Sequence, residues 1–261
     1  MSVTSVRRAG LAASAAALAV LLSACGGSGD GTEDGKTAQA GKSASAAAAP
    51  ARTLTAAELE KAALTQADVK SGKVVTKVPA VDDIAQDKVE TDKPECAPLS
   101  YLQVGSYVGK PAADVKRSWT GDPKKPAAGA SQEEAMLSVV DRPKVVLTLA
   151  SYDGDEAAKA FGELKAAASA CAGGFSFTVG GDTTKIVKVS TTAAPEGADE
   201  AIALTWLIDA EEGVKAPVKG VVVRKGATLA YVPAVNIASA ATGKDFPFPT
   251  ELVEAQLAKL G

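Results

Sequence analysis

The sequence predicts an α+β domain: an antiparallel sheet with helices packed against one face, behind a low-complexity N-terminal stretch. Three observations carry this. First, apolar and polar residues alternate in the C-terminal half, with Phe175, Phe177 and Val179 on one side and then Ile202, Leu204, Trp206 and Ile208. That is the period of a half-buried strand. Second, the strand-like runs 218–224 and 227–235 are separated only by Lys225-Gly226, a link short enough to demand a hairpin and antiparallel pairing. Third, Phe161, Leu164, Ala168 and Cys171 recur at spacings of three and four, with Glu156, Lys159, Glu163 and Lys165 between them. This predicts an amphipathic helix over 155–170, stopped by Gly173-Gly174.

The remaining elements follow in chain order. Thr55-Ala56-Ala57-Glu58 has the form of a capping box, with Leu54 placed to act as a hydrophobic staple, so a short helix should run through Leu59 and Leu64. Thr65-Gln66-Ala67-Asp68 is a second start signal before a turn at Ser71-Gly72. Residues 74–78 read as extended and 82–94 as irregular. A helix over 98–108 is weakened by Gly105, and 115–119 is a weak strand. Pro123, Pro126 and Gly129 make 121–132 a loop. Strands are expected at 135–140 and 144–151, with Pro143, which lacks a donor, in the turn between them. Residues 185–191, rich in β-branched side chains, add another strand, and 236–249, containing Phe246-Pro247-Phe248-Pro249, reads as a loop. A last helix over 250–260 should bury Val253, Leu257 and Leu260.

The first 24 residues read as a processing signal. Arg7 and Arg8 precede an apolar run over 9–22, too short for the roughly 20 residues that span a bilayer but right for a signal-peptide core. Leu22-Ser23-Ala24-Cys25 resembles a bacterial lipobox. The resemblance implies cleavage before Cys25 and acylation of that cysteine, which becomes the mature N-terminus. Two or more acyl chains give stable anchoring, so the expected location is the outer face of the cytoplasmic membrane. The paired arginines partly match a twin-arginine export signal, and the general secretory route is the alternative. Cleavage removes two arginines and no acid, moving the net charge from -3 to -5. An acidic domain gains nothing from an anionic surface. Residues 25–52, the lipidated cysteine and a Gly/Ser/Ala-rich segment, cannot bury enough surface to order themselves. They are expected to act as a flexible tether spanning about 30 Å. Gly41-Lys42-Ser43 lacks the upstream spacing and flanking elements of a phosphate-binding loop. Residues 53–261 are then one globular domain.

Cys96 and Cys171 are the only cysteines of that domain. In an oxidising compartment they are expected to pair, the alternative being two buried thiols. The arrangement of lipobox, tether, Leu64-Thr65-Gln66-Ala67-Asp68-Val69, Cys96, Ser151-Tyr152-Asp153 opening the helix that ends at Cys171, and Val221-Val222-Val223-Arg224-Lys225-Gly226 resembles the extracytoplasmic sensor domain of actinobacterial Ser/Thr kinases of the PknH type. That domain also occurs in stand-alone lipoproteins. The resemblance implies an antiparallel sheet with helices and a ligand cleft. The chain departs from it in having one possible disulfide instead of two, and no kinase segment.

Composition narrows the chemistry. The chain has no histidine, which removes the usual general base and the commonest zinc ligand. It contains neither a Gly-x-Ser-x-Gly elbow nor, in the domain, a Ser-x-x-Lys pair. Asp153 and Asp155 do not open a calcium loop, because Ala158 and Leu164 fall where its glycine and glutamate belong; helix capping suits them better. Asp209, Glu211 and Glu212 cluster in a loop. No catalytic residue, metal ligand or cofactor is therefore expected, and the acidic balance excludes a nucleic-acid partner. Among the few aromatics, Trp119, Phe246, Phe248 and Tyr152 are the candidate ligand contacts. The expected function is a non-catalytic ligand-binding or sensor lipoprotein for an envelope ligand. The alternatives are a structural or protein-interaction lipoprotein of the envelope, or a lipid carrier.

Overall fold

The computed structural model describes residues 52–210 and 213–261. The signal, Cys25, the tether except for Arg52, and Glu211 and Glu212 lie outside the described residues. Among those described, no helix is long and apolar enough to cross a membrane.

Among the described residues, six α-helices and nine strands follow one another: α1 (Ala56–Ala62), β1 (Lys73–Val75), β2 (Val89–Thr91), α2 (Ala97–Gln103), β3 (Ala113–Thr120), α3 (Gln132–Val140), β4 (Pro143–Ser151), α4 (Glu156–Ala170), β5 (Phe175–Val179), β6 (Asp182–Thr192), β7 (Glu200–Asp209), β8 (Lys215–Lys225), β9 (Thr228–Asn236), α5 (Ile237–Thr242) and α6 (Thr250–Leu260). All strands join one antiparallel sheet in the order β1-β3-β4-β9-β8-β7-β6-β5-β2. The run β5 to β9 is a meander, and Lys225 pairs with Thr228 across the expected tight turn. β1 and β2 follow one another in the chain yet form opposite edges, so the thirteen residues 76–88 cross from one side of the sheet to the other.

The expected antiparallel α+β sheet is present, but its helices cover both faces. Successive side chains of a strand point to opposite sides. Ile202, Leu204, Trp206, Val218, Val222 and Tyr231 pack with α2 and α4. Ala203, Val221, Val223, Ala230 and Val232 pack with α1 and α6. The central strands are buried on both sides, and their near-continuous apolar runs, such as Val221-Val222-Val223, record this.

Several elements differ from expectation. Residues 132–140 form α3, not a strand. Ser131 Oγ accepts from the Glu134 amide and Glu134 Oε2 accepts from the Ser131 amide at 2.8 Å, a capping box that outweighs the strand-like Ser138-Val139-Val140. Pro143 opens β4, where a missing donor is harmless, and its carbonyl accepts from Gly121. The irregular 82–94 contains β2, and the loop 236–249 contains α5, capped by the Asn236 side chain on Ser239. α2 stops at Gln103, with Gly105 in the left-handed region. Neither Asp153 nor Asp155 gives α4 a side-chain cap; Asp155 pairs with Lys159 at 3.0 Å instead.

The capping box at Thr55 and Glu58 forms as expected. Leu54 joins Leu59 in the cluster beneath α1. Gly72 follows in a turn with φ 71°, where a Cβ would lie 2.5 Å from the Thr120 carbonyl, so only glycine fits. In the centre of the sheet, a Cβ on Gly220 would lie 2.6 Å from the Trp206 ring. Gly220→Ala is therefore expected to cost about 1–3 kcal/mol through overpacking. Denaturant unfolding followed by tryptophan fluorescence would measure it, and an unchanged midpoint would mean that the indole moves freely.

Cys96, just before α2, and Cys171, at the end of α4, form a disulfide with Cα atoms 5.9 Å apart. Both are buried. On the other face, Lys259 of α6 pairs with Asp68 at 2.8 Å. The Lys259 hydrogen bond, joined by those from Thr65, lowers the Asp68 carboxyl to about 2. A depressed carboxylate stabilises the fold above its unfolded value of 3.8, and that contribution disappears as pH falls through about 2. The stability difference between wild type and Asp68→Asn should be largest at neutral pH and shrink between roughly pH 4 and 2. Urea midpoints measured across that range would show it, and a constant difference would contradict it.

Candidate functional site

On the α1/α6 face a cleft of about 540 Å³ lies between α6, the β6–β7 loop and the outward-facing side of β7 and β8. β7 supplies Ala203 and Thr205, and β8 supplies Lys219 and Val221, all on one face by the period of two. The β6–β7 loop contributes Pro195 and Glu196, and the start of α6 brings Thr250, Val253 and Glu254. Phe248, two residues before α6, completes the apolar wall. With Thr192 at the end of β6, the cleft thus combines an aromatic and aliphatic surface with one ammonium, two carboxylates and three hydroxyls.

Lys219 is fixed before any ligand arrives. Its ammonium lies 2.9 Å from Asp245 and 5.3 Å from the centre of the Phe246 ring. The Lys219 hydrogen bond holds the Asp245 carboxyl below the usual carboxylate range. The ring face and the carboxylate together orient the ammonium.

α6 lies where it does through a stripe that differs from the expected one. Its buried residues are Leu252, Val253 and Gln256, whereas Leu257 and Leu260 are only partly covered. Gln256 is inside because its Nε2 donates to the Ala62 carbonyl at 2.8 Å, tying α6 to the end of α1.

The four aromatic candidates have separate fates. Phe248 lines the cleft. Phe246 is adjacent but buried beneath Lys219, so it positions the lysine instead of lining the wall. Trp119 is a core residue of β3, with Nε1 donating to the Ser71 carbonyl at 2.9 Å. Tyr152 is fully buried on the opposite face. Its hydroxyl donates to the Val108 carbonyl at 2.8 Å and meets the Tyr231 hydroxyl at 2.7 Å, while the Val108 amide donates to Tyr231. Burial pushes both phenols above their ordinary value. Trp119 and Tyr152 are therefore packed in the core and do not line this cleft. The sequence reading missed Lys219, Thr205 and Glu254. They come from β8, β7 and α6, and only the sheet register brings them together.

The fold and this cleft define a two-faced α+β domain on a nine-stranded antiparallel sheet. No protein-family model and no curated protein matches the chain. Among solved structures it is similar to the extracellular domain of PknH from Mycobacterium tuberculosis, at 12% identity and a TM-score of 0.45, over 80% of this chain and 95% of that one. It is also similar to an uncharacterised protein, the Rv0999 ortholog from Mycobacterium smegmatis, at 11% identity and a TM-score of 0.30, over 72% of this chain and 85% of that one.

Proposed function

We propose that the protein is an extracytoplasmic lipoprotein, anchored through acylated Cys25 to the outer face of the cytoplasmic membrane, whose domain binds a small envelope ligand without chemical turnover. The observation that carries this reading is the cleft beside α6. A volume of about 540 Å³ is within the range of small-molecule sites. Its mixture of the Phe248 ring, the Lys219 ammonium and flanking hydroxyls and carboxylates suits a polar molecule with one apolar face. The buried disulfide supports an oxidising location.

A thermal-shift screen of the detergent-solubilised full chain, against envelope glycans, lipids and small metabolites, tests the binding reading. Ligand at a hundredfold excess over its Kd should add about 2.7 kcal/mol of apparent stability, and Phe248→Ala should reduce the shift. No shift from any class, with the fold intact, would move the reading to the protein-interaction alternative. Anchoring has its own test. Wild type should incorporate a labelled fatty acid and Cys25→Ser should not, because that cysteine is the acylated residue. A wild type that takes up no label would overturn the lipid anchor.

A further inference from the structure

The connector from β1 to β2 crosses the sheet without belonging to its core. None of residues 76–88 is buried, and Val81 near its middle is 80% exposed. Its backbone hydrogen bonds stay within the segment: the Asp82 and Asp83 amides donate to the Pro79 carbonyl, and the Lys88 amide donates to the Ala85 carbonyl. Side chains hold it to the domain. Lys144 of β4 reaches Asp82 at 2.6 and 2.7 Å. Lys116 of β3 reaches Asp83 at 2.8 Å and the Ile84 carbonyl at 3.0 Å. Gln86 donates to the Tyr107 carbonyl at 3.2 Å, and Arg117 to the Thr76 carbonyl at 3.4 Å. Ile84 is the single side chain of the segment packed on the α2/α4 core.

Beneath the connector lies a second cleft, of about 460 Å³, that the reading above does not use. Val81, Asp82 and Ile84 form one wall, and Val104, Val146 of β4 and Phe177 of β5 give it an apolar floor. In the sheet order β4 and β5 are separated by β9, β8, β7 and β6. One cleft touching both means that the sheet curls around this space and the connector bridges it. The connector is also the loosest wall. A segment with few buried apolar contacts opens locally at much lower cost than the core. Ion pairs with a partner in water are weak ties, and the Asp83 and Lys144 side chains are 57% and 37% exposed. The strands of the floor, by contrast, are held by continuous ladders over a buried core.

We propose that residues 76–88 form a lid on this cleft. The segment lifts while the β5–β9 meander stays folded, uncovering the Val146–Phe177 floor, and the Lys144–Asp82 and Lys116–Asp83 pairs set how often it lifts. Access to this cleft is thereby controlled independently of the α6 cleft on the other face of the sheet.

The test is thiol labelling of the detergent-solubilised full chain carrying Val146→Cys. Fluorescein maleimide is the probe, and peptide mass spectrometry reads the label at position 146 alone. Labelling there should be much slower than at Met136→Cys, a site 68% exposed on α3. Asp82→Ala with Asp83→Ala should raise the rate at position 146 roughly threefold to tenfold, the factor expected from losing two partly exposed ion pairs. Ile84→Ala should raise it as well. Val222→Cys, fully buried in β8, should stay unlabelled with or without the two alanines, which shows that the meander remains folded. Ala203→Cys, in the α6 cleft, should label at one rate in both backgrounds. Labelling at position 146 as fast as at position 136 with the connector unaltered would mean that the cleft stands open, and would overturn the proposal. So would a rate at position 146 that the two alanines leave unmoved, or one that rises only together with labelling at position 222, the mark of global unfolding.

Discussion

Replacing Arg117 with methionine is expected to lower the unfolding free energy by about 3–5 kcal/mol, the range for breaking a buried charged network. Arg117 lies in β3 and is 3% exposed. Its Nε donates to the Leu64 carbonyl at 3.0 Å, one terminal nitrogen donates to the Lys116 carbonyl at 3.0 Å, and the other reaches Glu60 Oε1 at 2.6 Å. The guanidinium thus satisfies backbone carbonyls around the end of α1, which methionine would leave without a donor. For a domain of this size the loss corresponds to roughly 10 °C in Tm. Glu60→Gln should cost far less, about 1 kcal/mol at most, because the Glu60 side chain is 59% exposed. Denaturant unfolding of the two variants would separate the effects. Equal losses would show that the ion pair, not the capping of the carbonyls, is what Arg117 contributes.

The second large effect is expected from Cys96→Ser combined with Cys171→Ser. The bridge closes 75 residues, and the chain-entropy account gives about 4.5 kcal/mol for a loop of that length, within a usual range of about 2–5. The loss should be near its full value because both sulfurs are buried between α2 and α4, so the serines also place hydroxyls in an apolar contact. Equilibrium unfolding with and without reductant would measure it. Wild type in reductant should approach the double variant only after the bridge is exposed. A double variant as stable as wild type would mean that the α2–α4 contact needs no covalent help.

How far the sequence revealed the structure depended on how locally each element is determined. α4 and the β5–β9 meander were legible because apolar periodicity and the Lys225-Gly226 turn are written within a few neighbouring residues. β1 and β2 were not. Each is three residues long and exists only because a longer strand offers it an edge. α3 was misread because its β-branched end outweighed a capping box at its start. The second helical layer was hidden for a different reason: strands covered on both faces lose the alternation that reveals which side is wet. At the site, Phe248 was legible as an aromatic beside prolines, but Lys219 and Glu254 were not, since neither has a local signal. The burial of Tyr152 was not legible, because a phenol at the end of a strand reads the same whether it is exposed or meets a second buried phenol.

The path of residues 76–88 has a consequence for how the domain comes apart. In most open sheets the two marginal strands belong to distant parts of the chain and can fray one at a time. Here one short connector joins both margins, and the Lys144–Asp82 and Lys116–Asp83 pairs hold it in place. Releasing the connector slackens both borders together, so their amides should exchange with solvent as one cooperative unit, ahead of the meander. In the closed state the same connector protects the borders from a neighbouring molecule. Both exposed margins are stubs that offer little backbone to pair with, and neither can lengthen without drawing on the other.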